Sequence, residues 1–248
     1  MASHWGERRP VRGDEAERRR LLWFTGSLVA VLVAWNNLVV ARLPAYPGSY
    51  VVANVAAAAV LLAAARWIGL TWDELGLARR RVPAGLRWGG ACFALVAAGY
   101  AIAIASPALR PLLTDARASG MDGQEIAYRA LVHVPLGNVL WEEIAFRGVL
   151  LAALSRLLSL RAATAASCAF FGMWHIGPTV TGLAANDLVD GLLLTTVAVL
   201  AVCLATAAAG LVLTWLRLRS GSLIAPALLH LATNSLGMLA AAVALQLQ

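Results

Sequence analysis

Lysine is absent from this chain; all 20 cationic side chains are arginine. Charge of either sign is scarce, at 13% of 248 residues. Cysteine occurs three times, as Cys92, Cys168 and Cys203, each inside an apolar run. No CxxC is present, which removes the usual basis for a redox or zinc-ribbon reading, and the three read as small hydrophobes. An HExxH helix is missing too, and with it the usual sequence sign of a zinc protease. So are a GxGD aspartyl motif and a GxSx serine motif with a partner histidine. No internal repeat, low-complexity tract or second domain is visible.

What is abundant is apolar sequence. Hydrophobic residues make up 60% of the chain, and mean hydropathy is +0.74. That is too apolar for an ordinary soluble domain. Several runs approach the roughly 20 residues needed to cross a bilayer as a helix. The expected fold is an all-α, polytopic transmembrane bundle of about seven spans, with six or eight also compatible. The spans fall at about Leu21–Ala41, Tyr50–Ala65, Trp88–Ala105, Ile126–Leu154, Ala162–Ile176, Leu188–Leu216 and Leu223–Leu245. The fourth, with Pro135 and Gly137, reads as a broken or re-entrant helix. The sixth is long enough to tilt or to break near Gly210.

Residues 1–20 read as a basic, mobile cytoplasmic tail, and 21–248 as one transmembrane domain. The net charge of +7 comes from arginines at the ends of apolar spans. They read as topology signals and lipid head-group contacts, not as a nucleic-acid footprint. An inside amino terminus puts Arg66 to Arg87, Arg156 with Arg161, and Arg217 with Arg219 in the cytoplasm. The opposite loops hold fewer, among them Arg42, Arg110 and Arg117. This favours a cytoplasmic amino terminus and a carboxyl terminus on the other side.

The exceptions inside the spans carry the chemistry. Trp141-Glu142-Glu143-Ile144-Ala145-Phe146-Arg147-Gly148 puts two carboxylates and an arginine at bilayer depth. Each costs about 2.5–3.5 kcal/mol on insertion scales, which marks it as functional by default. Glu143 and Arg147 are spaced i,i+4 and can pair. Glu142 lies about 140° from Arg147 around an α-helix and is left without that partner. A spare carboxylate in a dry site suits a general base.

His175 closes the fifth span, and His230 and Asn234 share a face of the seventh. Rise arithmetic puts His230 about 10–12 Å, His175 about 20 Å and Glu142 about 18 Å from their cytoplasmic ends, so all three can meet in one cavity. Glu142 with His175 fits activation of water, and His230 with Asn234 fits hydrogen bonding to an oxyanion. Glu142, His175 and His230 also form a two-histidine, one-carboxylate ligand set, so zinc is a second option. Asn36 and Asn37 read as interhelical hydrogen-bonding amides, His133 as a local hydrogen-bonding residue, and Phe171 and Trp174 as packing.

These residues resemble the CPBP family of CAAX proteases and bacteriocin-processing enzymes, also called the Abi family. The motifs EExxxR (Glu142, Glu143, Arg147), FxxxH (Phe171, His175) and HxxxN (His230, Asn234) occur in order between about residues 139 and 237. Arg219 to Pro226 and Asp73 to Leu77 resemble the family's flanking sequences. The resemblance implies an intramembrane endopeptidase acting on a membrane-associated or lipidated peptide. It gives Glu142 and His175 the water, His230 and Asn234 the oxyanion, and Glu143, Arg147 and Phe171 supporting places. No cofactor is required by that picture, although members are often called metalloproteases. The lipid bilayer and a peptide substrate are the expected partners. The competing expectations are a non-enzymatic immunity or peptide-binding module using the same cavity, and a solute or proton transporter.

Overall fold

The computed structural model describes residues 15–115, 120–185 and 187–247. The described elements are all helical, as expected of chain whose backbone polar groups must be satisfied without water. In chain order they are α1 (Glu15–Ala34), a wide π-type turn (Trp35–Val39), α2 (Tyr50–Trp67) and α3 (Val82–Ala105). A nearly continuous helical stretch follows. It comprises α4 (Gly123–Tyr128), a π-type segment (Arg129–Val139), α5 (Leu140–Glu142), a second π-type segment (Glu143–Leu150) and α6 (Leu151–Leu157). Then come α7 (Leu160–Trp174), α8 (Ile176–Ala185), α9 (Leu192–Ser220), α10 (Ile224–Leu231), a π turn (Ala232–Leu236) and α11 (Gly237–Gln246).

Five of these stretches are long and apolar enough to cross a membrane: Glu15–Arg42, Tyr50–Trp67, Arg79–Ala105, Leu192–Ser220 and Ile224–Gln246. The other two expected spans are helical but differ in kind. Gly123–Leu157 carries Glu125, Arg129, Glu142, Glu143, Arg147 and Arg156. α7 has 15 residues, about 22 Å of rise, which is short of a hydrocarbon core of about 30 Å. The outer helices present Leu95 and Leu204 at 75% and 71% exposure, a surface suited to lipid rather than water.

Three local features bear on those expectations. α1 begins at Glu15, inside the stretch read as a tail; residues 1–14, like Arg117, lie outside the described residues. α9 runs unbroken through Gly210, where the missing side chain instead leaves room for Phe171 and Arg147. His133 lies stacked on the Tyr50 ring, centroids 4.8 Å apart.

The inner wall holds the longest unbroken run of buried residues among those described. Every residue from Trp141 to Leu154 is buried, packed among α1, α2, α7 and α9. The wide turns before it have an identifiable cause. Pro135 has no N–H to offer Ala130, five residues back, and the Ser235 hydroxyl donates to that carbonyl at 2.8 Å. The fully buried Asn54 amide donates to Gly137 O at 2.8 Å and accepts the Trp35 indole N–H at 2.8 Å, joining three helices.

The loop after α2 is pinned behind this wall. Arg156 grips both Glu74 carboxylate oxygens at 2.9 Å. Thr71 donates to Glu74 through its N–H and its hydroxyl. Burial alone raises the Glu74 carboxyl, but the Arg156 and Thr71 bonds outweigh it and hold it at about 2. Arg217 donates to the Glu74 carbonyl at 2.8 Å and packs on Gly76, whose φ of +75° suits glycine.

The Gly85–Gly89 pair is spent inside the chain. A Cβ at Gly85 would lie 2.6 Å from Ser222 Oγ, and one at Gly89 2.9 Å from Ala225 Cα, so α3 rests directly on the start of α10. Gly89→Ala should therefore cost about 1–3 kcal/mol in detergent unfolding. Gly90→Ala, with nothing within 4 Å of the new methyl, should be neutral or slightly stabilising. Glu74→Gln should lower the unfolding temperature at pH 7. Because the Glu74 carboxyl sits below its ordinary 4.5, its stabilisation is present above that value and fades as pH falls towards about 2. The gap between variant and wild type should accordingly narrow at pH 3.

Candidate active site

Glu143 and Arg147 pair as their spacing requires, at 3.0 Å, with side chains 2% and 1% exposed. The guanidinium also lies over the Phe171 ring, 3.8 Å from its centroid. The same oxygen, Glu143 Oε1, meets His230 Nδ1 at 2.8 Å. One buried carboxylate oxygen therefore holds a cation on one side and an imidazole on the other.

Glu142 faces away from that pair. Its Oε1 accepts the Trp174 indole N–H at 3.1 Å. Its Oε2 is 3.8 Å from His230 Nε2 and 4.0 Å from His175 Nε2. Both separations exceed a direct hydrogen bond. The His175 ring is set by its own helix: Nδ1 sits 2.7 Å from the Phe171 carbonyl. A carbonyl only accepts, so Nδ1 carries the proton and Nε2 of the neutral ring is a bare base.

Phe171 ties these pieces together. Its ring is edge-on to His175 at 4.7 Å and to His230 at 6.2 Å, while its other contacts are Phe146 and the Arg147 cation. The fit depends on glycine, since a Cβ at Gly172 would approach the Cys203 carbonyl to 2.5 Å. α7 can lie against α9 this closely, and keep His175 in place, only without that methyl.

Glu142, His175, His230 and Asn234 line one cavity of about 750 Å³ with Phe171, beside Tyr50, His133 and Asn138. All four candidates thus share a single space. Asn234 is the most open of them, and Glu143 and Arg147 sit behind the wall. Trp174, assigned to packing from the sequence, is instead a direct partner of Glu142. A buried indole N–H needs an acceptor, and that was the legible sign. Tyr50 and the Asn36–Asn37 pair were not grouped with the site because they lie about 90 residues or more before its motifs.

For zinc, the carboxylate and two imidazoles are ligands of the right kind. Ligands about 2.0–2.1 Å from a tetrahedral zinc lie about 3.3–3.4 Å from one another, closer than the 3.8 and 4.0 Å found here. Among the described residues, no three His, Cys, Asp or Glu side chains are gathered closely enough to be a metal-holding group.

Residues 125–236 match the family model of the type II CAAX prenyl endopeptidase Rce1-like proteins. The chain carries an Rce1-like domain. It is a membrane protease, consistent with the CPBP resemblance of its motifs. The Rce1-like region spans a little under half of the chain and holds all seven motif residues, whereas α1, α2 and α3 precede it. No curated protein and no solved structure matches the chain.

Two outcomes follow from this geometry. Arg147→Met leaves Glu143 buried without its cation and should cost about 3–5 kcal/mol in denaturant unfolding; pairing it with Glu143→Gln should recover part of that loss. Trp174→Phe keeps the ring and removes the N–H that orients Glu142. It should lower kcat about tenfold with KM little changed, read from the rate of peptide cleavage.

Proposed function

We propose that this protein is an intramembrane endopeptidase that hydrolyses a peptide bond of a membrane-associated or lipidated peptide, without a metal. One observation carries the reading. Glu142 Oε2 and the bare Nε2 of His175 stand 4.0 Å apart at the wall of a cavity that His230 and Asn234 also reach. A water oxygen between the two acceptors can give one hydrogen to each, leaving a lone pair for the scissile carbonyl.

The water oxygen bonds to the carbonyl carbon, and its proton passes to Glu142. The carbonyl oxygen becomes the oxyanion and takes hydrogen bonds from His230 Nε2 and the Asn234 amide. Collapse breaks the C–N bond as the proton moves to the departing amine. His230 can donate from Nε2 while Nδ1 donates to Glu143 only as an imidazolium. The charges allow it: Arg147 and that imidazolium balance Glu142 and Glu143. A zinc held by Glu142, His175 and His230 would instead polarise the carbonyl or the water.

The same reading takes the chain as seven spans, counting Gly123–Leu157 and α7, with the amino terminus cytoplasmic and the carboxyl terminus opposite. The arginine distribution supports that orientation.

The test is cleavage of a fluorogenic farnesylated CAAX-type peptide, and of a membrane-peptide library, by purified protein. Glu142→Gln should reduce the rate by about 10²–10⁴-fold with insertion unchanged, and Asn234→Ala by about 10²-fold. Full activity of Glu142→Gln would overturn the assignment. Wild-type cleavage should survive chelation, and loss restored by zinc would make the three residues ligands.

A further inference from the structure

The chain between α7 and α8 departs from the regular helical hydrogen-bond ladder. In a continuous helix the Trp174 carbonyl would accept from residue 178, but that residue is Pro178 and has no N–H. The Met173 carbonyl would accept from the Gly177 N–H. Instead the Gly177 N–H turns to Asn37, the Gly172 and Met173 carbonyls accept backbone N–H groups in a tightened last turn, and His175 sits at the break with φ −93° and ψ 4°.

Two amides from the first helix fill the gap. Asn36 Nδ2 donates to the Trp174 carbonyl at 3.2 Å. Asn37 Nδ2 donates to the Met173 carbonyl at 3.1 Å, and Asn37 Oδ1 accepts the Gly177 N–H at 2.7 Å. The Asn37 amide is thus inserted into the ladder between the two backbone groups that would otherwise bond each other. A side chain inserted in this way is a recognised cause of a helix break. Gly177 is pressed against the same pair; a Cβ there would lie 3.1 Å from Asn37 Oδ1 and 3.3 Å from the Asn36 carbonyl. Asn36 and Asn37 sit in the π-type turn of the first helix and line the same cavity as His175.

We infer that Asn36 and Asn37 are positioning residues of the active site: they hold open the α7–α8 break and thereby aim His175 at Glu142. The first helix, which lies outside the Rce1-like match, then completes the site rather than only anchoring it. The hydrogen bonds of these amides across to α7 and α8 go to backbone groups, not to the side chains of Glu142 or His175. They act through the backbone on either side of His175, whose own Nδ1 bond to Phe171 keeps the ring in register. The inference rests on His175 being part of the water-activating pair.

The test uses full-length protein in detergent, with Asn37→Leu, Asn37→Asp and Gly177→Ala. Asn37→Leu removes both sides of the wedge at similar size. Asn37→Asp keeps the acceptor for Gly177 and loses the donor. Gly177→Ala strains the same contact from the other strand of chain, so no single folding defect decides the result. The first readout needs no substrate: the rate at which diethyl pyrocarbonate modifies His175, by mass spectrometry, with His230 as internal reference. His175 should react several-fold faster in Asn37→Leu, less so in Asn37→Asp, while His230 keeps its wild-type rate. The second is cleavage of the farnesylated peptide, where kcat should fall about tenfold with KM within about twofold.

An unchanged His175 rate in both Asn37→Leu and Gly177→Ala would overturn the inference. So would equal acceleration of His175 and His230, which marks general loosening. Full cleavage by Glu142→Gln would instead sink the catalytic reading and leave the labelling result to decide the positioning role separately.

Discussion

The buried carboxylate of Glu143 is the point on which the rest of the site depends. One of its oxygens is shared by Arg147 at 3.0 Å and His230 at 2.8 Å. Two or three ionic groups this deep in an apolar wall persist only when each is paired and hydrogen-bonded, because an isolated charge there is far too costly. The pairing therefore fixes which way the inner helix faces, since Glu143 must turn towards Arg147 and α10. Its neighbour Glu142 is thereby turned towards α7 and the cavity. The structural pair and the chemical group are separated by one residue of helix.

Close approach of helices does the remaining alignment. α7 meets α9 at Gly172, and α3 meets α10 at Gly89, each where any Cβ would collide with backbone. Small residues serve this purpose in membranes, where apolar attraction between helices is weak against lipid and packing must replace it. The loop pinned by Glu74, Arg156 and Arg217 closes the structure from behind. The Leu223 N–H donates to the Gly76 carbonyl at 2.9 Å, so the loop also sets the start of α10, which carries His230.

The proposed chemistry draws on three segments remote in sequence, and each imidazole is held by a different device. His175 is oriented by a carbonyl of its own helix and by a break wedged open from the π-type turn that follows α1. His230 is oriented by the Glu143 carboxylate of the inner helical wall, 87 residues earlier in the chain. The two rings thus meet different partners at Nδ1, a backbone carbonyl for His175 and a carboxylate for His230. In the proposed mechanism the carboxylate partner suits His230 to donate to an oxyanion, and the carbonyl partner suits His175 to accept a hydrogen from water.

The sequence by itself determined the all-helical membrane character, the membrane-protease motifs and the pairing of Glu143 with Arg147 that leaves Glu142 facing elsewhere. Apolar run length and i,i+4 spacing are local quantities, so they are readable without a fold. It also put Glu142, His175 and His230 at compatible depths, because rise per residue is nearly constant. Tertiary structure decided what depends on partners. Trp174 became a donor to Glu142, Gly85 and Gly89 became the seat of α10 on α3, and the amides of Asn36 and Asn37 found the α7 break. Pro178 announces that a carbonyl goes without its helical partner, but which remote side chain takes its place depends on packing across about 140 residues of chain. Hydrogen-bond direction and close approach belong to pairs of elements, and no spacing within one element encodes them.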